Sequence, residues 1–331
     1  MIPGNTLSAI AVCLVGSLVV LGAASRSRSE VIGVYDKQKL VSERPRLETR
    51  TKELWQKMYE NLLSPEEKGA LKNSRLQFPW ISSDGEALNF ISNSRQQTVD
   101  LPIHSLLLLE DACTAYAWLH HNGYSPVTIN EYASVLKYRR LNDPGAEIPP
   151  PLKALGIPDD ALTDPEVSQL SLRFRNSAYA FVIGHEMGHI LHRHPGNRAV
   201  APHVSKAHER EADKFALKVL KEDHQIPIGA ILFFQMTAFI ASPGRFDSPT
   251  EKEWQKALQQ ATHPLTSDRV RGVAELLHTK AGDYRENREI ALDVAEKLEQ
   301  IAKEMDDHDW QLYFKKIGEE APIKYLLPRK K

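Results

Sequence analysis

The stretch AFVIGHEMGHILHRHPG, residues 180–196, sets His185, Glu186, His189, His192 and His194 into an otherwise apolar run. On an α-helix, positions four apart sit about 40° from each other around the axis, so His185 and His189 project from one face. Two imidazoles one turn apart can reach a single zinc ion. Glu186 lies about 100° round, near enough to touch a water on that ion without replacing it as a ligand. This is the H-E-x-x-H arrangement, whose chemistry uses neutral imidazoles to hold a metal and a carboxylate to take a proton. Upstream, Ala180 to Ile183 are apolar, and burying Glu186 beside them is costly without a metal or a partner. The two cysteines, Cys13 and Cys113, build neither a disulfide framework nor a thiolate site. Any metal has to be held by histidines and carboxylates.

Two histidines need a further ligand. The metzincin spacing would put Gly at 192 and His at 195, where this chain has His192 and Pro195. Downstream, SKAHEREADKFALKVLKED (205–223) offers two glutamates that helical phase separates. Glu209 lines up with Ala212, Ala216 and Leu220 on the apolar face, whereas Glu211 falls with Lys214, Lys218 and Glu222 on the wet face. An acid on an apolar stripe needs compensation and zinc supplies it, so Glu209 is expected as the third ligand. Asp213, one turn on, can accept the second N–H of a ligand histidine. Three protein ligands leave one position for water, whose pKa zinc lowers to about 7. Glu186 then acts as general base in attack on a peptide carbonyl. His192 reads as a surface residue or a support behind the ligands, and His104, His120 and His121 as ordinary surface or core histidines.

HEMGHILHRH, then EREAD beginning twenty residues after His189, then HPLTSDR together resemble the gluzincin zinc metallopeptidases. Within these the chain is most similar to the family of the HtpX protease, the CAAX prenyl protease and the BepA-like periplasmic proteases. The likeness covers about residues 175–280. It implies one zinc ion per chain on His185, His189 and Glu209, Glu186 as the base, and a polypeptide substrate. It further implies that His194 and Asp213 stand behind the ligands and that His263 and Arg269 belong to the active site, His263 by hydrogen bonding the oxyanion. The alternative for this last pair is a plain helix start capped by Thr266. The family often has a β-hairpin before the zinc helix, whose edge strand pairs with substrate; residues 25–165 show no clear counterpart. A weak or inactive gluzincin-fold adaptor or chaperone-like protein is the alternative function, against which the intact Glu186 argues. A membrane-anchored scaffold without metal is a further one.

The elements that must position these residues are legible in part. A predominantly helical α+β fold is expected, with a small sheet beside the H-E-x-x-H helix. Asp164, Pro165 and Glu166 form a helix start, and near-helical apolar spacing runs from there to His185. QLSLRFR (169–175) also alternates with period two, as a strand would. Residues 100–112 read as strand or buried helix, 125–141 as helix with Ser125 or Thr128 as cap, 226–241 as buried core, and Ile290, Val294, Leu298 and Ile301 as one helical stripe. The resulting organisation is an N-terminal segment (1–29), a helical region (30–141), a loop or linker with six prolines (142–165), the metallopeptidase core (166–282) and a C-terminal helical region (283–331). Near-balance of 42 basic and 43 acidic side chains, without a basic stripe, excludes a dedicated nucleic-acid binder. Residues 6–24 are uncharged and just long enough to span a bilayer. Arg26 and Arg28 after them, and no Lys or Arg before, favour a membrane anchor with the body in the cytoplasm. Gly22, Ala23 and Ala24 suit signal cleavage, which would make the protein periplasmic or secreted.

Overall fold

The computed structural model describes residues 31–331 apart from 84, 140–145, 197–199, 241–242, 262, 321, 323–325, 328–329 and 331. The expected anchor or signal segment lies outside the described residues. Among the described residues, no helix is long and apolar enough to cross a membrane.

The described chain opens with β1 (Val31–Ile32) antiparallel to β2 (Tyr35–Asp36). Asp36 then caps α1 (Lys37–Asn61) by accepting the Lys39 N–H. A capping box of Ser64 and Glu67 starts α2 (Pro65–Leu71). Three short strands follow: β3 (Arg75–Gln77), β4 (Ile91–Asn93) and β5 (Thr98–Asp100). They form one sheet in the order β3-β5-β4, with β3 parallel and β4 antiparallel to the central β5. The segment 100–112 is therefore both things it resembled, a strand end and then α3 (Ile103–His121). That helix is buried nearly all round. His104 is one of its core residues, accepting the Val34 N–H at Nε2.

α4 (Val127–Ser134) has Pro126 as its N-cap residue, the Ser125 hydroxyl before it accepting the Val127 N–H at 3.4 Å, and runs into a π-helical turn over Val135–Arg139. α5 (Pro151–Ala154) lies in the proline-rich stretch, whose Ile148, Ala154, Leu155, Ile157 and Ala161 are buried in the main core. Those five residues pack as part of the body. Then come α6 (Pro165–Leu191), α7 (Pro202–Glu222), α8 (Ile228–Ile240), α9 (Glu251–Gln260), α10 (Ser267–Lys280), α11 (Arg288–Asp306) and α12 (His308–Glu320). The fold is predominantly helical α+β with a small sheet. On α11 the buried stripe is Ala291, Val294, Ala295, Leu298, Ile301 and Ala302. Ile290, expected on that stripe, is instead 43% exposed; Ala281–Asn287 form a 3-10 stretch and α11 begins only at Arg288.

α6 is the axis of the molecule, 27 residues and so about 40 Å long. The Asp164 carboxylate accepts the N–H groups of Glu166 and Val167 at 2.8 and 3.2 Å, which settles the 169–175 ambiguity as helix. Its first half packs on α3, its second half on α7, with α8 along it and β4 beside it. A second apolar cluster binds α10 and α11 to α6, α7 and α8 through Phe181, Ala216, Leu220, Phe234, Val270 and Val294.

α6 and α7 approach closely because small residues face each other. A Cβ on Gly188 would come within 2.9 Å of Ala212 Cα, and one on Gly184 within 3.0 Å of Ala216 Cα. Larger side chains would push the helices apart and withdraw Glu209 from the two histidines. Gly188→Ala should therefore destabilise the protein by about 1–3 kcal/mol, the range of core overpacking. Gly69→Ala in α2, where an added Cβ meets nothing within 4 Å, should stabilise by about 0.5–1 kcal/mol. Urea unfolding of both variants checks this; equal effects would show that the helix contact is not tight.

Candidate metal centre

Near the C-terminal end of α6, His185 and His189 meet Nε2 to Nε2 at 3.1 Å. Glu209 on α7 reaches both, Oε2 lying 3.4 Å from His185 Nε2 and Oε1 3.5 Å from His189 Nε2. His263, in the loop before α10, closes the group: its Nδ1 is 3.2 Å from Glu209 Oε2 and its Nε2 3.6 Å from Glu186 Oε1. Ligand-capable atoms of His185, His189, Glu209 and His263 all fall within 4.8 Å of one another. His185, His189 and Glu209 are buried, Glu209 at 0% exposure, and His263 is half-buried.

Behind these atoms stands a ring of supports. Asp213 Oδ1 lies 2.9 Å from His185 Nδ1. Arg269, from the first turn of α10, donates through Nε and Nη2 to the two Asp213 oxygens at 2.8 Å each, and its Nη1 is 2.6 Å from Glu209 Oε2. Thr266 caps α10 by accepting the Arg269 N–H at 3.3 Å. Capping and a place in the site thus belong to the same turn. His194 lies 2.9 Å from His189 Nδ1, while His192 is the exposed C-cap residue of α6.

The charges are set by burial working against close partners. Burial lowers the His185 pKa, but the bonds to Asp213 and Glu209 outweigh it and push the group up to about 9. His189 is held well below the usual histidine range by burial, with cationic neighbours adding to the effect. Burial raises the carboxyl groups of Glu209 and Asp213, yet Arg269 holds both below the usual range. The shift on His185 shows that positive charge is favoured where these atoms converge. A divalent cation meets the same electrostatic demand, and two imidazoles with a carboxylate are a donor set that suits zinc.

Glu186 presents Oε2, buried and without a hydrogen-bond partner. Around it, Glu86, Leu88, Asn89 and Phe90 form a wall opposite Phe233, Thr237 and Ala261. The accessible space they leave is about 20 Å³, room for about one water. Asp100, at the end of β5, has a second unpartnered buried oxygen, and its pKa is raised by burial and by the Glu186 charge. Neither the 86–90 wall nor Asp100 carried a signal in the sequence.

Residues 173–288 match the family model of peptidase U49. The match indicates a peptidase family, and the matched stretch contains Glu186, the four converging residues, His194, Asp213 and Arg269. The finer likeness to the HtpX, CAAX prenyl protease and BepA-like group rests on the three motifs. No curated protein and no solved structure matches the chain.

Replacing Arg269 by Met leaves two buried carboxylates without their cation, which should cost about 3–5 kcal/mol in chemical denaturation. A loss under about 1 kcal/mol would mean that Glu209 and Asp213 find other partners. In the metal-free protein the combined contribution of His185, His189 and His194 to stability should peak near pH ~6.5, the ordinary histidine value. Below it, His189 and His194, whose folded pKa values are depressed, take up protons more readily unfolded, so stability rises with pH. Above it, His185 keeps its proton only in the folded state until about pH 9, so that contribution is lost as pH rises. Thermal melts across this range test the sign; stability that climbs steadily past pH ~6.5 contradicts it.

Proposed function

We propose that the protein is a zinc-dependent endopeptidase of gluzincin type, in which His185, His189 and Glu209 hold the ion and Glu186 is the general base. One observation carries the reading: an unpartnered, buried Glu186 oxygen beside converging His and Glu ligands, inside a stretch matched to a peptidase family. A zinc ion held there supplies a Lewis acid and brings the pKa of a bound water down to about 7.

The chain's own residues do the rest. Glu186 takes a proton from the attacking water at Oε2 and returns it to the leaving amine. Burial lowers the His263 pKa, but Glu209 and Glu186 raise it on balance. His263 Nε2, 3.6 Å from Glu186 Oε1, is placed to donate to the developing oxyanion. Asp213 orients His185, and Arg269 fixes Asp213 and Glu209 together. Residues 86–90 wall the space beside Glu186, and a polypeptide reaching that carboxylate would pass along them. β4, an outer strand continuous with that wall, is our choice for the strand that pairs with an extended substrate. With the N-terminal apolar stretch as anchor, membrane-associated or misfolded proteins are the substrates we favour.

Glu186→Gln should keep the fold and about one zinc per chain while lowering hydrolysis of an unfolded polypeptide by about 100-fold or more. Zinc analysis and a fluorogenic casein assay on the purified protein check this. Stoichiometric zinc with no turnover by the unaltered protein would favour an adaptor, and no zinc at all would defeat the metallopeptidase reading.

A further inference from the structure

The two histidines of the H-E-x-x-H pair are backed differently. His185 Nδ1 meets a carboxylate directly, Asp213 at 2.9 Å. His189 Nδ1 meets another imidazole, His194 Nδ1 at 2.9 Å, and His194 Nε2 in turn meets Glu211 Oε2 at 2.9 Å. His194 is held firmly between them. Its ring stacks on His208 with centroids 4.0 Å apart and planes 14° apart. Its N–H donates to the His189 carbonyl, and its own carbonyl accepts the Ser94 hydroxyl from the β4–β5 turn at 2.7 Å.

Two ring nitrogens in hydrogen-bond contact need one proton between them, because two N–H groups repel and two lone pairs repel. Glu211 Oε2, an acceptor when ionised, draws an N–H from His194 Nε2. Neutral His194 then has a bare Nδ1, which accepts the N–H of His189 Nδ1. That leaves the lone pair of His189 on Nε2, the atom that faces Glu209 and His185.

We propose that Glu211, acting through His194, is a positioning residue for His189, fixing the tautomer that turns a bare Nε2 toward the ligand group. The proposal rests on the reading of His189 as a metal ligand. Helical phase puts Glu211 on the wet face of α7, where its side chain is 53% exposed, and that exposure suits the task. An outer carboxylate in water stays ionised without a buried cation, whereas Asp213 depends on Arg269. One ligand histidine is thus oriented by a dry, paired acid and the other by a wet acid one imidazole further out.

The test uses the metal-free full-length protein with ¹⁵N-labelled histidine, reading ring tautomers from long-range ¹H–¹⁵N correlations, together with zinc affinity by competition with a chelating dye. The expected wild-type state is Nδ1–H at His189 and Nε2–H at His194. Glu211→Lys places a donor opposite His194 Nε2, so both rings should invert and zinc affinity should fall about 10–100-fold, the usual effect of losing an outer partner. Glu211→Ala, which adds no charge, should mix the tautomers and weaken zinc about 10-fold. Glu222→Lys makes the same charge change on that face without the contact and should alter neither readout. Unchanged tautomers and affinity in both Glu211 variants would overturn the proposal. Inverted tautomers in a protein that never binds zinc would support the relay and overturn the metal reading instead.

Discussion

Glu209 and Asp213 are shut away from water and share one guanidinium, that of Arg269. Each buried carboxylate carries a desolvation penalty of several kcal/mol unless it is paired and hydrogen-bonded. Arg269 meets this for both, in a fork onto Asp213 and a third contact to Glu209, with its guanidinium over the Phe234 ring at 5.5 Å. The C-terminal layer of α10 and α11 exists in part to seat that fork. Its apolar side chains hold α10 against α6, α7 and α8, and the Thr266 cap sets the turn from which Arg269 reaches inward.

The site is therefore the meeting of two arrangements. One is steric: glycines on α6 against alanines on α7 bring Glu209 under the histidine pair. The other is electrostatic: Arg269 keeps the acids ionised, and the point where the ligand atoms converge attracts a positive charge. Glu186 stands apart from this pairing, with one oxygen unpartnered, as a group that must give and take protons requires.

The chemistry of the site was more legible in the sequence than its enclosure. Helical periodicity separated Glu209 from Glu211 correctly as to face, because α7 is regular and strongly two-sided. Asp164 and Pro165 marked the start of α6 through local hydrogen bonding, which sequence carries well. The β4–β5 hairpin escaped notice because its strands are three residues each and its turn, Ser94 to Gln97, has no Asn-Gly or Asp-Gly signal. The Glu211–His194 contact lay beyond periodicity for another reason. Arg193 turns the backbone through φ +54° at the end of α6, folding His194 back toward His189 in a geometry that no repeat describes.

The parts of the cluster are joined by connections of very different length. Only ten residues separate the end of α6 from the start of α7, a loop with a small closure entropy. Arg269 stands 56 residues beyond Asp213 and arrives from a separate helix. The loop that brings the histidines to Glu209 and Asp213 is short, whereas the one that brings Arg269 is longer and costs more entropy to close. α10 both covers the two acids and carries the guanidinium that pairs them. A chain that ended before residue 267 would carry His185, His189, Glu209 and Asp213 but not the guanidinium that pairs the two acids.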